Sequence, residues 1–214
     1  MTQPLITAPA LRALMASGAP VLVIDCSFDL ADPARCESAH AERHLPGAIY
    51  LHLDRDLSAP MDGRNGRHPL PTPAEFAERM GRHGYQDGLH VVAYDTAGGM
   101  YAARLWWMLR WIGHAEVQVL DGGLAAWDAA GGALAGGPVP PRAPAHCSVQ
   151  PPLAPHLSFE EVLAGLGKGR RLIVDARAPD RFRGENETLD PVGGHIPGAG
   201  NRFFRDNLGP DGHF

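Results

Sequence analysis

The sequence is poor in cysteine and has no long apolar run. Its 214 residues contain three cysteines, Cys26, Cys36 and Cys147, and no CxxC pair. This pattern is neither a disulfide framework nor a zinc-binding motif, and it fits a reducing compartment. No segment approaches the roughly 20 apolar residues that span a bilayer, and "MTQPLITAPALRAL" lacks the basic start and apolar run of a signal peptide. We therefore predict a cytoplasmic protein with no metal site and no membrane partner.

Basic segments are also scarce. The chain has 19 lysines and arginines against 24 aspartates and glutamates, a formal net charge of −5, and its longest basic run is "KGRR" at 168–171. This balance argues against a nucleic-acid partner. Hydrophobic residues make up 44% of the chain, while 26 glycines and 20 prolines indicate many turns. We expect a loop-rich globular protein without a disordered tract.

Short apolar segments alternate with helix-like segments along the first 130 residues. "VLVID" at Val21–Asp25, "HVVAYD" at His90–Asp95 and "EVQVLDGG" at Glu116–Gly123 are typical of buried strands. Helices are predicted over Thr7–Ala16, from about Pro73, and in the segments that follow the second and third strands. The alternation predicts an α/β fold in which helices cover both faces of a parallel sheet.

The order of elements repeats after a segment rich in glycine and proline. "LSFEEVLAGLGKGRRLIVDARAPDRF" parallels "ITAPALRALMASGAPVLVIDCSFDL", and "HLPGAI" at His44–Ile49 recurs as "HIPGAG" at His195–Gly200. We predict a first domain over residues 1–135, a linker over 136–157, and the N-terminal part of a second copy of the domain over 158–214.

The stretch "VVAYDTAGGMYAARLWW" combines a strand, a glycine-bearing loop and a helix. Backbone N–H groups in such a loop converge near a helix N-terminus, where the helix dipole also favours negative charge. The loop is thus suited to an anion, yet the residue at its head is Asp95. A fixed carboxylate stands where a phosphate, a thiolate or a substrate anion would be expected.

Six ordered segments carry a resemblance to a known family: "VLVIDCSF", "HLPGAIYLHLDRDLS", "GRHPLPTPAEFAERMG", "VVAYDTAGGMYAARLWWMLRWIGHAEVQVLDGGLAAW", "LIVDARAPDRFRGE" and "DPVGGHIPGAGNRFFRDNL". In this order they resemble the tandem-domain rhodanese-like sulfurtransferases, which include thiosulfate and 3-mercaptopyruvate sulfurtransferases. The resemblance implies a rhodanese-like fold and sulfur transfer through a cysteine persulfide, without a metal or organic cofactor. Its substrates would be a small anionic sulfur donor and a thiophilic acceptor such as cyanide.

In that family the persulfide cysteine heads a six-residue loop of the C-terminal domain, and the N-terminal domain keeps the loop without the cysteine. By resemblance, "DTAGGM" is a degenerate active loop in which Asp95 has a structural role. The repeat spacing puts the matching cysteine near position 245, past Phe214, so the second domain is expected to be incomplete and the activity of this chain is left open. The loop comprises Asp95, Thr96, Ala97, Gly98, Gly99 and Met100.

Two arginines in "DARAPDRFRGE" are candidate substrate-binding residues. The resemblance implies that Arg181 reaches the active loop and pairs with the anionic end of the donor, where a guanidinium can bind in two-pronged fashion. Arg183 is a second candidate. Mercaptopyruvate-type members tend to carry another arginine before the second "HIPGA" motif, and "ETLDPVGG" has none. This difference favours thiosulfate as the donor.

Other chemically versatile residues have simpler interpretations. His44 and His195 are expected to hydrogen-bond the backbone of their turns, and Asp25 and Asp175 to accept loop hydrogen bonds. Cys26, Cys36 and Cys147 lack a glycine loop leading directly into a helix, so they are interpreted as incidental thiols, with Cys36 the most exposed.

Three alternatives to a sulfurtransferase remain at this stage. The chain could be a non-catalytic rhodanese-like protein that binds a partner or an anion. It could belong with the cysteine phosphatases, which also need a loop cysteine, or be an unrelated small α/β binding protein. The sequence does not determine the acceptor or the oligomeric state.

Overall fold

The computed structural model describes residues 3–169 and 171–214. The chain divides into two compact units, Met1–Pro155 and His156–Phe214, which are described one at a time. The first unit contains a five-stranded parallel sheet with strand order β1-β5-β4-β2-β3. Its elements are β1 (Leu5–Ile6), α1 (Ala8–Ala16), β2 (Val21–Asp25), α2 (Arg35–Glu42), β3 (Ile49–Tyr50), α3 (Pro73–Arg82), β4 (His90–Tyr94), α4 (Ala102–Trp111), β5 (Val117–Leu120) and α5 (Gly123–Ala129).

Both faces of this sheet are buried, because successive residues of the central strands point in opposite directions. Leu22 and Ile24 enter one core together with α3 and α4, whereas Val23 enters the other together with α1 and α5. Each large apolar side chain buried in this way contributes about 1.5–3 kcal/mol to folding. The predicted α/β fold with helices on both faces of a parallel sheet is confirmed.

Two neighbouring strands end at the same edge of the sheet, so the residues that follow them lie at that edge. β2 and β4 pair along five residues, from Val21 opposite His90 to Asp25 opposite Tyr94. From β2 the chain passes to β3 on one side, and it then returns to β4 on the other. Such a change of direction leaves a crevice at the carboxyl ends of the strands, where ligands of open α/β sheets commonly bind. The loop that begins at Asp95 lies at this edge.

Residues 136–155, hereafter the strap, lie against the rest of the first unit. The strap covers most of the predicted linker. The N–H of Ala145 donates to the carbonyl oxygen of Gly81 at 2.9 Å, and the N–H of Gln150 donates to that of Ile112 at 2.9 Å. Cys147 is 7% exposed. The glycine and proline content of the strap therefore accompanies an extended, packed segment.

The second unit is small. It contains α6 (Phe159–Gly165), β6 (Val174–Asp175), α7 (Pro179–Arg183), β7 (Gly200–Asn201) and a 3-10 turn at Phe204–Asn207, and β6 pairs with β7 in parallel. None of its described residues is buried as a whole, and Leu172 is 81% exposed. The unit thus resembles a sheet edge with its flanking helices more than a closed core. No helix in the described part of the chain is both long and apolar enough to cross a membrane.

Gly123 allows the turn after β5 to approach the loop at Asp95. Its φ is +56°, and a Cβ at this position would overlap the backbone oxygen of Asp95. We expect Gly123→Ala to lower the free energy of unfolding by about 3 kcal/mol or more, since the left-handed backbone costs about 1–2 kcal/mol and the clash adds to it. Urea denaturation would measure the loss.

The matched control is Gly88→Ala. Gly88 has φ +80° and open space around its Cβ position, so it carries only the left-handed cost of about 1–2 kcal/mol. Equal losses in the two variants would show that the close approach to Asp95 is unimportant.

Candidate functional site

The carboxylate of Asp95 is the centre of the loop that follows β4. Asp95 is 2% exposed. Its Oδ1 accepts the N–H groups of Ala97 at 2.8 Å and Gly99 at 2.9 Å. Its Oδ2 accepts those of Tyr101 at 2.8 Å and Ala102 at 2.9 Å. Four backbone donors therefore converge on one side chain, two of them at the start of α4.

The glycines explain how the loop turns these donors inward. Gly98 and Gly99 have φ of +77° and +83°, a conformation that other residues adopt only at a cost. Consecutive N–H groups in such a turn form a concave cradle for negative charge, and the N-terminus of α4 adds its dipole. The cradle is filled by a carboxylate of the chain itself, so an incoming anion would have to displace Asp95.

Aromatic rings and an arginine support the outer side of the loop. The ring of Phe28 meets those of His52, Tyr101 and His68 edge-on, with centroid distances of 5.1, 5.7 and 6.1 Å. Arg104 of α4 donates to the carbonyl oxygens of Leu57 and His68. Burial lowers the pKa of Arg104 and of His68. These contacts form a wall of the crevice beside Asp95.

None of the three cysteines lies in a cradle of this kind. Cys26 and Cys147 are buried, and Cys36 is partly exposed. Burial, followed by the charge of Asp25, raises the pKa of the Cys26 thiol, and burial likewise raises that of Cys36. Burial and the charge of Asp87 raise the pKa of Cys147 to about 12. All three thiols are thus protonated near neutral pH and are poor nucleophiles.

The two histidines of the repeated motif make matching contacts. His44 Nδ1 lies 2.6 Å from the carbonyl oxygen of His40, and His195 Nδ1 lies 2.7 Å from that of Phe182. Asp25 accepts the N–H of Ser27, and Asp175 that of Arg177. Each aspartate therefore closes the turn after its strand. His40 Nδ1 also lies 3.0 Å from Asp25, a contact that no sequence motif predicted.

Arg181 lies in an ion-pair network within the second unit. Its Nη2 is 2.8 Å from Glu187 Oε2 and 3.1 Å from Asp190 Oδ2, and its side chain is 20% exposed. Arg183 instead pairs with Glu185 at the surface. The two candidate arginines thus have separate partners. The sequence analysis did not single out Glu187, which lies beyond the helix that carries both arginines.

The comparison with family models identifies the first unit. Residues 7–130 match the model of the rhodanese-like domain. The chain belongs to the rhodanese-like family. It is 47% identical over 212 residues to a probable 3-mercaptopyruvate sulfurtransferase of Pseudomonas aeruginosa, covering 98% of this chain and 74% of that protein. It is 40% identical to human 3-mercaptopyruvate sulfurtransferase, covering 96% and 69% of the two chains.

Solved structures agree with this membership. The 3-mercaptopyruvate sulfurtransferase of Leishmania major superposes with a TM-score of 0.83 at 29% identity, covering 96% of this chain and 56% of that one. SseA from Escherichia coli superposes with a TM-score of 0.73 at 25% identity, covering 94% and 74%. The rhodanese-like chain therefore spans about three quarters of its curated relatives and a little over half of the Leishmania chain.

Asp95→Ala is expected to destabilise the first unit. The change leaves four N–H groups without their acceptor, two of them in buried and two in partly buried hydrogen bonds. We expect this to cost about 3–5 kcal/mol and to lower the melting temperature by about 10 °C. Asp95→Asn should also destabilise, because its NH₂ group would face backbone donors. Calorimetry would measure both shifts, and an unchanged melting temperature would contradict a structural role for Asp95.

Asp62→Ala is the matched control. Asp62 Oδ1 also accepts two loop N–H groups, those of Arg64 and Asn65, but at the surface, so its loss should cost less than about 1 kcal/mol. Acetate or formate should raise the melting temperature of Asp95→Ala and not that of Asp62→Ala. Failure of this rescue would show that the cradle does not select anions.

Glu187 makes a pH-dependent contribution to the stability of the second unit. The N–H of Leu189 and the guanidinium of Arg181 lower its pKa to about 2, from an ordinary value of 4.5. A pKa that is lower in the folded than in the unfolded state stabilises the folded state at pH values above the unfolded-state pKa. The stabilisation by Glu187 is therefore complete above pH 4.5 and is lost as the pH falls towards 2. The carboxyl ¹³C shift of Glu187 should titrate with a midpoint near 2. A midpoint near 4.5 would contradict the network, and Glu187→Gln should lose this pH dependence.

Proposed function

We propose that the protein transfers sulfane sulfur from thiosulfate or 3-mercaptopyruvate to a thiophilic acceptor such as cyanide. The observation that carries the proposal is the 47% identity, over nearly the whole chain, to a relative named as a probable 3-mercaptopyruvate sulfurtransferase. A putative thiosulfate sulfurtransferase of Mycobacterium tuberculosis is 38% identical over a similar length. Both donors are therefore kept, although the lack of an arginine in "ETLDPVGG" favours thiosulfate.

The proposed reaction passes through a cysteine persulfide. A thiolate attacks the outer sulfur of thiosulfate or the thiol sulfur of 3-mercaptopyruvate, and the S–S or C–S bond breaks. Sulfite leaves from thiosulfate, whereas the enolate formed from 3-mercaptopyruvate takes up the proton of the donor's thiol and leaves as pyruvate. Cyanide then attacks the outer sulfur of the persulfide, which gives thiocyanate and returns the thiolate. Atoms and charges balance without a metal or an organic cofactor. The reactants are small molecules, and neither nucleic acid nor membrane is required.

The nucleophile is assigned to a loop cysteine outside these 214 residues. Each cysteine of the chain has a raised pKa, whereas the reaction needs a thiolate at neutral pH. A cradle such as that at Asp95–Met100 would supply one, because inward N–H groups stabilise a thiolate or persulfide as they stabilise the carboxylate of Asp95. By this reasoning Asp95–Met100 is a degenerate copy of the active loop.

The second unit is proposed to be the beginning of a second rhodanese-like repeat. Its elements follow the order of α1, β2, α2 and β3, and its strands pair in the matching register. Asp25 lies opposite Tyr50 in the first unit and Asp175 opposite Asn201 in the second. Tyr50 and Asn201 each lie two residues after the alanine that ends their "H[LI]PGA" segment. The contacts of His44 and His195 support the same correspondence.

Arg181 is proposed to bind the anionic end of the donor, with Arg183 as a second contact. The bonds of Arg181 to Glu187 and Asp190 are made by Nε and Nη2, so contact with the donor is assigned to Nη1. Glu187 then orients the guanidinium. A bound arginine of this kind can pair with a sulfonate-like or carboxylate group in fixed geometry.

A second candidate function is binding without catalysis. The observation that favours it is that the carboxylate of Asp95 already accepts four N–H groups, two from the loop and two from the start of α4. A rhodanese-like unit of this kind would serve as a scaffold or a regulatory domain. Free cysteines are compatible with action in the cytoplasm under either function.

Thiocyanate formation tests the proposal. The protein isolated from its native source should form thiocyanate from cyanide and thiosulfate or 3-mercaptopyruvate, and the 214-residue chain alone should form none. No thiocyanate from the native protein would favour the binding function. Thiocyanate from the 214-residue chain that is lost in Cys147→Ser would place the nucleophile at Cys147 and overturn the assignment.

The role of Arg181 is tested in the same assay. Arg181→Ala should raise the KM for the donor about tenfold or more, the loss of roughly 1.4 kcal/mol or more expected for a charged contact. Glu187→Gln removes a partner of Arg181 but keeps the guanidinium, so its effect on KM should be smaller. Equal effects on KM in the two variants would show that Arg181 acts only in the ion-pair network.

A further inference from the structure

Three side chains of types that commonly bind metals come from distant parts of the sequence and lie close together at the strap. Asp87 lies in the turn between α3 and β4, His114 lies between α4 and β5, and Cys147 lies in the strap itself. One donor atom from each lies within 4.8 Å of the other two. Cys147 is 7% and His114 5% exposed, whereas Asp87 remains accessible from the surface.

The separations of the donor atoms are close to those of a tetrahedral zinc site. Cys147 Sγ lies 3.7 Å from His114 Nε2, and that nitrogen lies 3.8 Å from Asp87 Oδ1. With Zn–S and Zn–N bonds of about 2.3 and 2.1 Å, the donor atoms of such a site are about 3.4–3.6 Å apart. A contraction of a few tenths of an ångström would bring these two pairs of atoms to coordination distance, and Cys147 Sγ and the Asp87 carboxylate lie within 4.8 Å of each other.

A fourth donor is adjacent. The carbonyl oxygen of Ser148 lies 2.8 Å from His114 Nε2 and 4.0 Å from Cys147 Sγ. Each atom that a metal ion would require thus borders the same small space. A sulfur, an imidazole nitrogen and two oxygens suit a borderline cation such as Zn²⁺ or Co²⁺, whereas Mg²⁺ and Ca²⁺ prefer oxygen alone.

We propose that one zinc-type divalent cation fastens the strap to the rest of the first unit. Its ligands are Asp87, His114, Cys147 and the carbonyl oxygen of Ser148. The Cys147 thiol loses its proton to solvent as the metal–sulfur bond forms. The His114 proton moves from Nε2, where it donates to Ser148, to Nδ1, and the freed Nε2 lone pair binds the metal. The Ser148 carbonyl then exchanges its hydrogen bond for the metal. This role is independent of sulfur transfer.

Neighbouring groups orient the proposed ligands. The N–H of Ser148 donates to Asp87 Oδ1, and its hydroxyl donates to Oδ2. The ring of Tyr85 meets the His114 ring edge-on, with centroids 5.2 Å apart. Supporting contacts of this kind hold ligands in place in metal sites.

The site also has an entrance. A surface cavity of about 520 Å³ is lined by Cys147, Ser148, His146, Arg82 and other residues of α3 and the strap. A hydrated cation could reach the thiol from this side. The sequence predicted no metal site because its three cysteines form no CxxC pair, and ligands that are 27 and 33 residues apart make no recognisable spacing motif.

Cobalt(II) binding to the 214-residue chain tests the proposal. Added Co²⁺ should produce a cobalt–thiolate charge-transfer band that saturates at one equivalent and disappears when Zn²⁺ is added. Cys147→Ser should abolish the band. Asp87→Ala changes an accessible position. It should weaken Co²⁺ binding by more than about tenfold, the loss of affinity expected when only a supporting contact is removed.

Cys36→Ser is the matched control, since Cys36 is a more accessible thiol, and it should keep the band. Absence of the band in the wild-type chain, its persistence in Cys147→Ser, or its loss in Cys36→Ser would each overturn the proposal. Should Cys147→Ser fail to fold by circular dichroism, the Asp87→Ala affinity decides, and unchanged affinity there would also overturn it.

Discussion

The bonding of four backbone N–H groups to the carboxylate of Asp95 organises the carboxyl edge of the first sheet. These N–H groups cannot pair with one another, and the buried carboxylate of Asp95 accepts all four of them. The carboxylate ties β4 to the start of α4. Around it, Gly123 brings the turn after β5 against the backbone of Asp95. The N–H of Cys26 extends the pairing of β2 by donating to Tyr94 at 2.8 Å.

The same physical arrangement explains how a rhodanese-like loop can serve either structure or chemistry. A cradle of N–H groups at a helix N-terminus stabilises whichever anion its first residue supplies. With an aspartate at its head, the amides of the loop bind a side chain of the loop itself. With a cysteine the anion would be a thiolate, whose pKa the same amides would lower. One residue would therefore separate the two roles within the same backbone geometry.

The two units are held by different forces. The first has apolar cores on both faces of its sheet, and even its glycine- and proline-rich strap is packed. No described residue of the second unit is buried as a whole. Its local order depends instead on ion pairs among Arg177, Arg181 and Glu187 and on backbone turns. Electrostatic contacts of this kind are sensitive to pH and salt, whereas apolar burial is not.

The sequence by itself determined the fold class, the strands around "VLVID" and "HVVAYD", and the position of the loop at Asp95, because these features follow from periodicity and glycine placement over short distances. It also indicated which residues repeat. Only the tertiary structure decided that Glu187 pairs with Arg181, that the strap is packed, and that Asp87, His114 and Cys147 meet. These contacts join segments whose separation along the chain carries no local signal, so they arise only when the elements pack.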